Sequence, residues 1–253
     1  QYLQGNPWTG VALPRGSAPK VDAARHLSPA QWAAVEAEGR NGSKTPRVKQ
    51  AIWVARFLRA TGLRLAEICS ARCDDLAAMD SDIAVFGSNT TQAVLKLGKM
   101  TWVINVLGKG MKQRCVPVPP ELVRELGERL AEEGGALDPR CHVGRPLVER
   151  LPASGQMDSP QHLKPQALYR QLKRLFANVA FGLRQRGNEG DARVLEAAST
   201  HWLRHTSGSH SIAAGVPIDV VQQNLGHASL ATTTIYCRSE MERRIVEQAR
   251  MWR

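Results

Sequence analysis

Residues Thr200–His210 read THWLRHTSGSH. The chain holds seven histidines in 253 residues, and this short stretch concentrates three of them with an arginine. On a helix His201 and Arg204, three apart, share one face. Their side chains can then converge on one anionic group, with Arg as a planar fork for phosphate oxygens and His as a further donor or proton carrier. Alone, the pair fits a solvated helix face as well. His201 and His205, at i,i+4, have zinc-like spacing, but the glutamate of an HExxH motif is missing and no third ligand is placed. No metal or other cofactor is expected.

Composition points the same way. There are 34 Lys and Arg against 23 Asp and Glu, a formal charge of +11, and 43% of residues are hydrophobic. A core is affordable at this length, and the positive surplus favours a polyanionic partner, nucleic acid before anionic membrane. No apolar run approaches the roughly 20 residues of a membrane span. The start, QYLQGNPWTG, has neither a signal-peptide pattern nor an initiator Met, so the chain reads as part of something longer. Five irregularly spaced cysteines do not form a disulfide framework and fit a reducing cytoplasm. Cys69 and Cys73, at i,i+4, read as buried small hydrophobes rather than metal ligands.

Residues 1–26 read as a linker or arm, and 27–253 as one domain. Ser28-Pro29 opens a helix to about Glu38, and Thr45-Pro46 opens a second, PRVKQAIWVARFLRAT, with Ile52, Ala55, Phe57 and Leu58 as its core stripe. Gly62 ends it, and a shorter helix follows from about Leu65. Between Ala84 and Pro119 the period falls to two, so AVF, AVLKL, TWVINVL and RCVPVP read as strands. The last two flank GKGMKQ as a hairpin. Helices follow at PELVRELGERLAEE and, after a Gly/Pro loop of about 25 residues, PQALYRQLKRLFANVAFGLRQR. Another loop leads to the His/Arg helix, then come PIDVVQQNL, a turn GHAS, a helix around ATTTIYC and an amphipathic tail. The class is α+β, mostly helical, with a small antiparallel sheet.

Further motifs align with the opening pair. Gly226-His227 stops a short helix, and Tyr236 follows nine residues later behind TTTI. Upstream, TGLRLAEI places Arg64 at a helix start after a glycine turn, and GKGMKQR holds Lys109 at a strand end. In the order Arg, Lys, His-x-x-Arg, Gly-His, Tyr, this set closely resembles the catalytic domain of the tyrosine recombinases, the phage integrase family. The resemblance runs from about His26 to the end, with LRHT and LGHASLATTTIY its most specific motifs, and even NPWTGV looks like that domain's lead-in.

The resemblance implies metal-free, ATP-free DNA cleavage and rejoining. The Tyr236 hydroxyl would attack the scissile phosphate, forming a 3′-phosphotyrosyl bond and releasing a 5′-hydroxyl that can attack back or be replaced by a partner strand's. Making a phenolate at pH 7 costs roughly 4 kcal/mol, and charge gathers on the non-bridging oxygens. Arg64 and Arg204 would clamp those oxygens, Lys109 protonate the leaving oxygen, His201 assist Tyr236, and His227 bond the phosphate. Lys96, Lys99 and Lys112 lie near Lys109 as competitors. Glu67 would orient the Arg64 region, and His205 would pack or act indirectly. The partners implied are double-stranded DNA and other protomers in a DNA-bound synaptic assembly, in the cytoplasm and on the nucleoid.

Two features depart from the compact family pattern. The long stretch from Arg64 to Lys109 implies an inserted hairpin around Phe86–Lys99. The family's N-terminal helical core-binding domain has no counterpart ahead of the first helix, so weak DNA binding and inefficient recombination by the chain alone are expected. From Lys164 to Arg186 there are six basic residues, Lys164, Arg170, Lys173, Arg174, Arg184 and Arg186, and no acid; they read as a phosphate-tracking face or as an ordinary basic one. The tail's Ile245, Ala249 and Trp252 form a stripe for docking on a neighbouring protomer or on the chain's own core. Rival readings are a type IB topoisomerase, a non-catalytic DNA-binding module and a zinc-binding interaction domain. Topoisomerases generally have Lys where this chain has His201, and the zinc domain lacks ligands.

Overall fold

Proline and glycine set the ends of the central helix. In the computed structural model, which describes residues 25–40, 45–80, 84–85, 95–96, 100–108, 113–151, 159–226 and 237–252, α2 runs Pro46–Thr61. Pro46 sits in the first turn, where an N–H would have no helical partner. Gly62 closes the helix at φ 64° and donates its N–H to Leu58 O. A side chain at Gly62 is disfavoured twice, by that φ and by Leu225, whose Cδ2 would overlap an added Cβ. Ile52, Trp53, Val54, Ala55, Phe57 and Leu58 are all buried, so α2 is surrounded rather than one-faced. Around it pack α1 (Pro29–Arg40), β5 (Gln113–Val118), α4 (Pro120–Glu132), α5 (Pro165–Gln185) and α7 (Thr200–Ala213). A reciprocal pair caps α1: Ser28 N donates to Gln31 Oε1 and Gln31 N to Ser28 Oγ.

The sheet has the antiparallel order β1 (Leu76–Asp80), β4 (Met100–Leu107), β5, with Leu76 opposite Ile104 and Trp102 opposite Val118. Between β1 and β4 a separate ladder pairs β2 (Ala84–Val85) with β3 (Leu95–Lys96), which is where the inserted hairpin was expected. Two elements correct the sequence reading. Strand β1 begins before Ala84, although LAAMD is built from helix formers; its pairing along β4 overrides local propensity. The loop expected before the His/Arg helix contains α6 (Glu189–Ala197), started by Asn188, whose side chain accepts from Asp191 N.

Helix α3 (Leu65–Ser70) follows Gly62 closely, and α8 (Ile218–Leu225) ends at Gly226 with φ 63°. The long loop after α4 is tied to the end of α3 by Leu147 N donating to Ala71 O, and folds on itself through Leu163 N donating to Val148 O. Cys69 and Cys73 are buried and their thiols are pushed up to about 11 by that burial, in keeping with inert packing residues. The turn GHAS beyond Gly226 and the helix around ATTTIYC lie outside the described residues, apart from Cys237.

Helix α9 (Cys237–Trp252) lies on the chain's own α7, α8 and β5. Its inner side is Arg244, Ile245, Gln248 and Met251, all buried, one register off the expected stripe of Ile245, Ala249 and Trp252. Polar groups shift the register: Asn224 Nδ2 donates to Gln248 Oε1 at 2.7 Å, and Arg244 Nε donates to Asn224 Oδ1 at 2.9 Å. At the other end, Leu27 is strapped to α7 through its N–H to Thr206 Oγ1 and its carbonyl to His210 Nε2, both 2.9 Å.

Helix α5 offers an internal control on this packing. Phe176 is 0% exposed and Phe181 63%. Phe176→Ala should cost about 3–5 kcal/mol in denaturant unfolding, whereas Phe181→Ala should stay within about 0.5 kcal/mol of the parent.

Candidate active site

The turn after α2 puts Arg64 at the N-cap of α3 in extended backbone. Glu67, at the third helical position, reaches back to accept the Arg64 N–H at 2.7 Å. The same carboxylate pairs with the Arg64 guanidinium, Nη1 to Oε1 at 2.9 Å. From β5, Arg114 adds two parallel bonds, Nη1 to Oε1 at 2.9 Å and Nη2 to Oε2 at 2.7 Å. Glu67 is therefore a buried carboxylate shared by two arginines. Burial alone would raise its pKa, but the hydrogen bonds from Arg114 and Arg64 outweigh it and hold the group at about 2. Arg64 stays 40% exposed while Arg114 is 12% exposed, so Arg64 keeps a face for a ligand.

Arg204 arrives from α7. It is 5% exposed and donates Nη1 to Gly62 O at 2.5 Å and Nη2 to Leu225 O. Both acceptors are carbonyls at helix C-termini, which face no partner within their own helices and favour a cation. Burial, then repulsion from Arg64, brings the Arg204 pKa down to about 10; Glu67 opposes this and Arg114 adds to it. Arg204 is still charged at neutral pH. Arg204 thus interacts with Arg64, Arg114 and the one carboxylate those two share, which leaves a surplus of positive charge at one place.

His201 lies one turn before Arg204, exposed at the start of α7, edge-on to His205 with ring centroids 4.5 Å apart at 87°. The structure therefore brings Arg64, Glu67 and Arg204 together, with His201 and His205 on the same helix as Arg204. Lys109, His227 and Tyr236 lie outside the described residues. Their chain neighbours are placed: the β4–β5 pair brackets the Lys109 loop, Gly226 precedes His227, and Cys237 opens α9 after Tyr236.

The six basic residues around α5 have unequal surroundings. Lys164, Arg170, Arg174 and Arg186 are exposed. Lys173 Nζ donates to Glu196 O and to Ala198 O, fixing the junction that leads into α7. Arg184 pairs with Glu189 and Glu196 of α6, so acids from a neighbouring helix meet the basic face that has none in its own sequence. Among the described residues, no three His, Cys, Asp or Glu side chains gather as a metal cage, and no helix is long and apolar enough to cross a membrane.

Arg114 and Asn224 are site residues the sequence reading passed over. A signal existed for Arg114: in QRCVPV it alternates with Val116 and Val118, which face the core, and a charge on that side needs a partner. Asn224 has no such mark, because its role depends on which helices meet it.

This arrangement, on this fold, matches a known family. The chain belongs to the phage integrase family, which matches residues 40–243. It is 30% identical over 212 residues to the tyrosine recombinase XerD of Rhizobium meliloti, covering 82% of this chain and 53% of that protein. To the tyrosine recombinase XerA of Pyrococcus furiosus it is 26% identical over 185 residues, 73% of this chain and 49% of the relative. The chain spans about half the length of the curated relatives it matches. The solved integrase from mycobacterium phage Brujita shares the fold, with a TM-score of 0.51 at 19% identity, over 98% of this chain and 63% of that one.

The Glu67 cluster sets a pH dependence. Its carboxyl stands at about 2 in the folded state and near 4.3 when unfolded. Ionised Glu67 therefore stabilises the fold fully above about pH 4.5 and loses that contribution as pH falls toward 2. Glu67→Gln should lower the denaturation midpoint at neutral pH, and its gap from the parent should narrow steadily from about pH 5 to pH 2.5.

Proposed function

We propose that this chain is the catalytic domain of a site-specific DNA recombinase, with residues 1–26 as a linker and 27–253 as the domain. It cleaves and rejoins DNA without metal through a 3′-phosphotyrosyl intermediate. The observation that carries the reading is the convergence of Arg64 and Arg204 on one turn: Arg204 grips Gly62 O two residues before Arg64, and the two charges repel across the gap. A backbone phosphate is the ligand that such fixed guanidiniums suit.

In the proposed reaction, Arg64 and Arg204 hold the two non-bridging oxygens of the scissile phosphate. The Tyr236 oxygen attacks phosphorus while its proton passes toward His201. The bond to the 5′-oxygen breaks, and Lys109 delivers a proton to it. His227 donates to a phosphate oxygen. The reverse attack by a 5′-hydroxyl restores the phosphodiester and frees Tyr236, so bonds balance and no external energy source enters. Glu67 holds Arg64 without touching the phosphate. The exposed basic residues of α5, Arg170 and Arg174 among them, track the duplex, and several protomers assemble on DNA in the cytoplasm. Membership of the phage integrase family supports this reading, and the placing of the exposed Arg64 guanidinium beside the buried Arg204 supports it through geometry.

A nicked duplex carrying the native target site, from which the released strand diffuses away, traps the covalent step. The parent protein should accumulate a protein–DNA adduct and Tyr236→Phe none. Arg204→Gln should lower the adduct rate by about 10²–10³. Equal adduct from parent and Tyr236→Phe would remove Tyr236 as the nucleophile.

A further inference from the structure

We infer that Arg114 is a positioning residue for the phosphate clamp, acting through Glu67 on Arg64 and through the end of α8 on the segment that begins at His227. The inference rests on the recombinase reading above and assigns a role to a residue outside its motifs. All three guanidinium nitrogens of Arg114 are engaged. Nη1 and Nη2 take the two oxygens of Glu67, and Nε donates to Asn224 O at 3.3 Å. Its stem lies against Gly226, where an added Cβ would come within 3.0 Å of Arg114 Cδ and Nε. With its Nη1 and Nη2 on Glu67, its Nε on Asn224 O and only 12% exposure, Arg114 is committed to protein partners.

Its two contacts matter for different reasons. Glu67 alone, held only by Arg64, would be a buried carboxylate free to turn with that exposed side chain. The fork from Arg114 fixes the plane of the carboxylate, and so the direction in which Arg64 presents its remaining edge. At the other contact, α8 ends in carbonyls that need donors. Arg114 takes Asn224 O and Arg204 takes Leu225 O. The last turn before His227 is therefore clasped by two arginines from two elements, and the Asn224 side chain is held in turn by Arg244 and Gln248 of α9. Loss of Arg114 releases the orientation of Arg64 and the launch point of His227 together. A lysine cannot replace it, because one ammonium does not span both carboxylate oxygens and the Asn224 carbonyl.

The test is a double-mutant cycle read in single-turnover adduct formation at saturating DNA, with the protein as the cell makes it. Arg114→Gln and Arg114→Lys are each placed in the parent and in Arg64→Lys. In the parent, both should slow adduct formation about 10- to 100-fold, the range a small misplacement of a reacting group produces. DNA affinity should change less than about threefold, since no phosphate contact is lost. In the Arg64→Lys background the further loss should shrink to under about threefold, because the group being oriented is already compromised. Thermal melts of all five variants identify any that fail to fold, and Arg114→Lys, which keeps the charge, serves if Arg114→Gln unfolds. Equal losses in both backgrounds, or a wild-type rate in folded Arg114→Lys, would overturn the inference while leaving the recombinase reading intact. No adduct from the parent protein would reject that reading and this inference with it.

Discussion

A guanidinium held in the interior by main-chain carbonyls organises this molecule. Arg204 ties the end of α2, at Gly62, to the end of α8, at Leu225, while its own backbone belongs to α7. Three helices, α2 from early in the chain and the consecutive α7 and α8, are fixed at one point by one side chain. The geometry demands glycine at position 62, since both the left-handed turn and the close approach of Leu225 leave no room for a side chain. From that point Arg64 follows two residues on, so its placement is inherited from the clasp.

The clasp also sets the electrostatics. Burying a cation is costly unless it is compensated, and for Arg204 compensation comes from two carbonyl dipoles and from the nearby charge of Glu67, which itself bonds Arg64 and Arg114. Burial first and the neighbouring Arg64 second bring the Arg204 pKa down to about 10, while bonds from Arg114 and Arg64 overcome burial to hold Glu67 at about 2. Each group stays charged at neutral pH, and the cluster keeps unspent attraction for an anion. Charges fixed before the substrate arrives need no reorganisation when negative charge develops on a phosphate, which is why such arrangements accelerate phosphoryl transfer. A residue whose three guanidinium nitrogens each bond a protein group, like Arg114, contributes by keeping its neighbours still.

Much of this was legible in the sequence where one residue type has one physical use. Proline at the first turn of α2 and glycine at its end gave its bounds, and period-two alternation gave β4 and β5. The meeting of Arg64, Glu67 and Arg204 was expected through the resemblance of the motif order to a known family, while spacing alone put only His201 and Arg204, and Arg64 and Glu67, on shared local faces. What stayed hidden depended on tertiary pairing. Strand β1 is spelled in helix formers and exists because β4 lies beside it. Helix α6 is short and announced only by Asn188. Its Glu189 and Glu196 then neutralise part of a face that looked purely basic along α5. The seat of α9 was misread by one register, because Gln248 and Arg244 are polar and their burial makes sense only beside Asn224.

The most direct measurement is a crystal structure of the protein on a duplex containing its target site, with the scissile phosphate intact. Non-bridging oxygens of one phosphate should lie about 3 Å from guanidinium nitrogens of both Arg64 and Arg204, with Arg114 still forked on Glu67. Arg64 and Arg204 bonded to different phosphates, or Arg204 turned away from the DNA altogether, would contradict the shared clamp on which the whole interpretation stands.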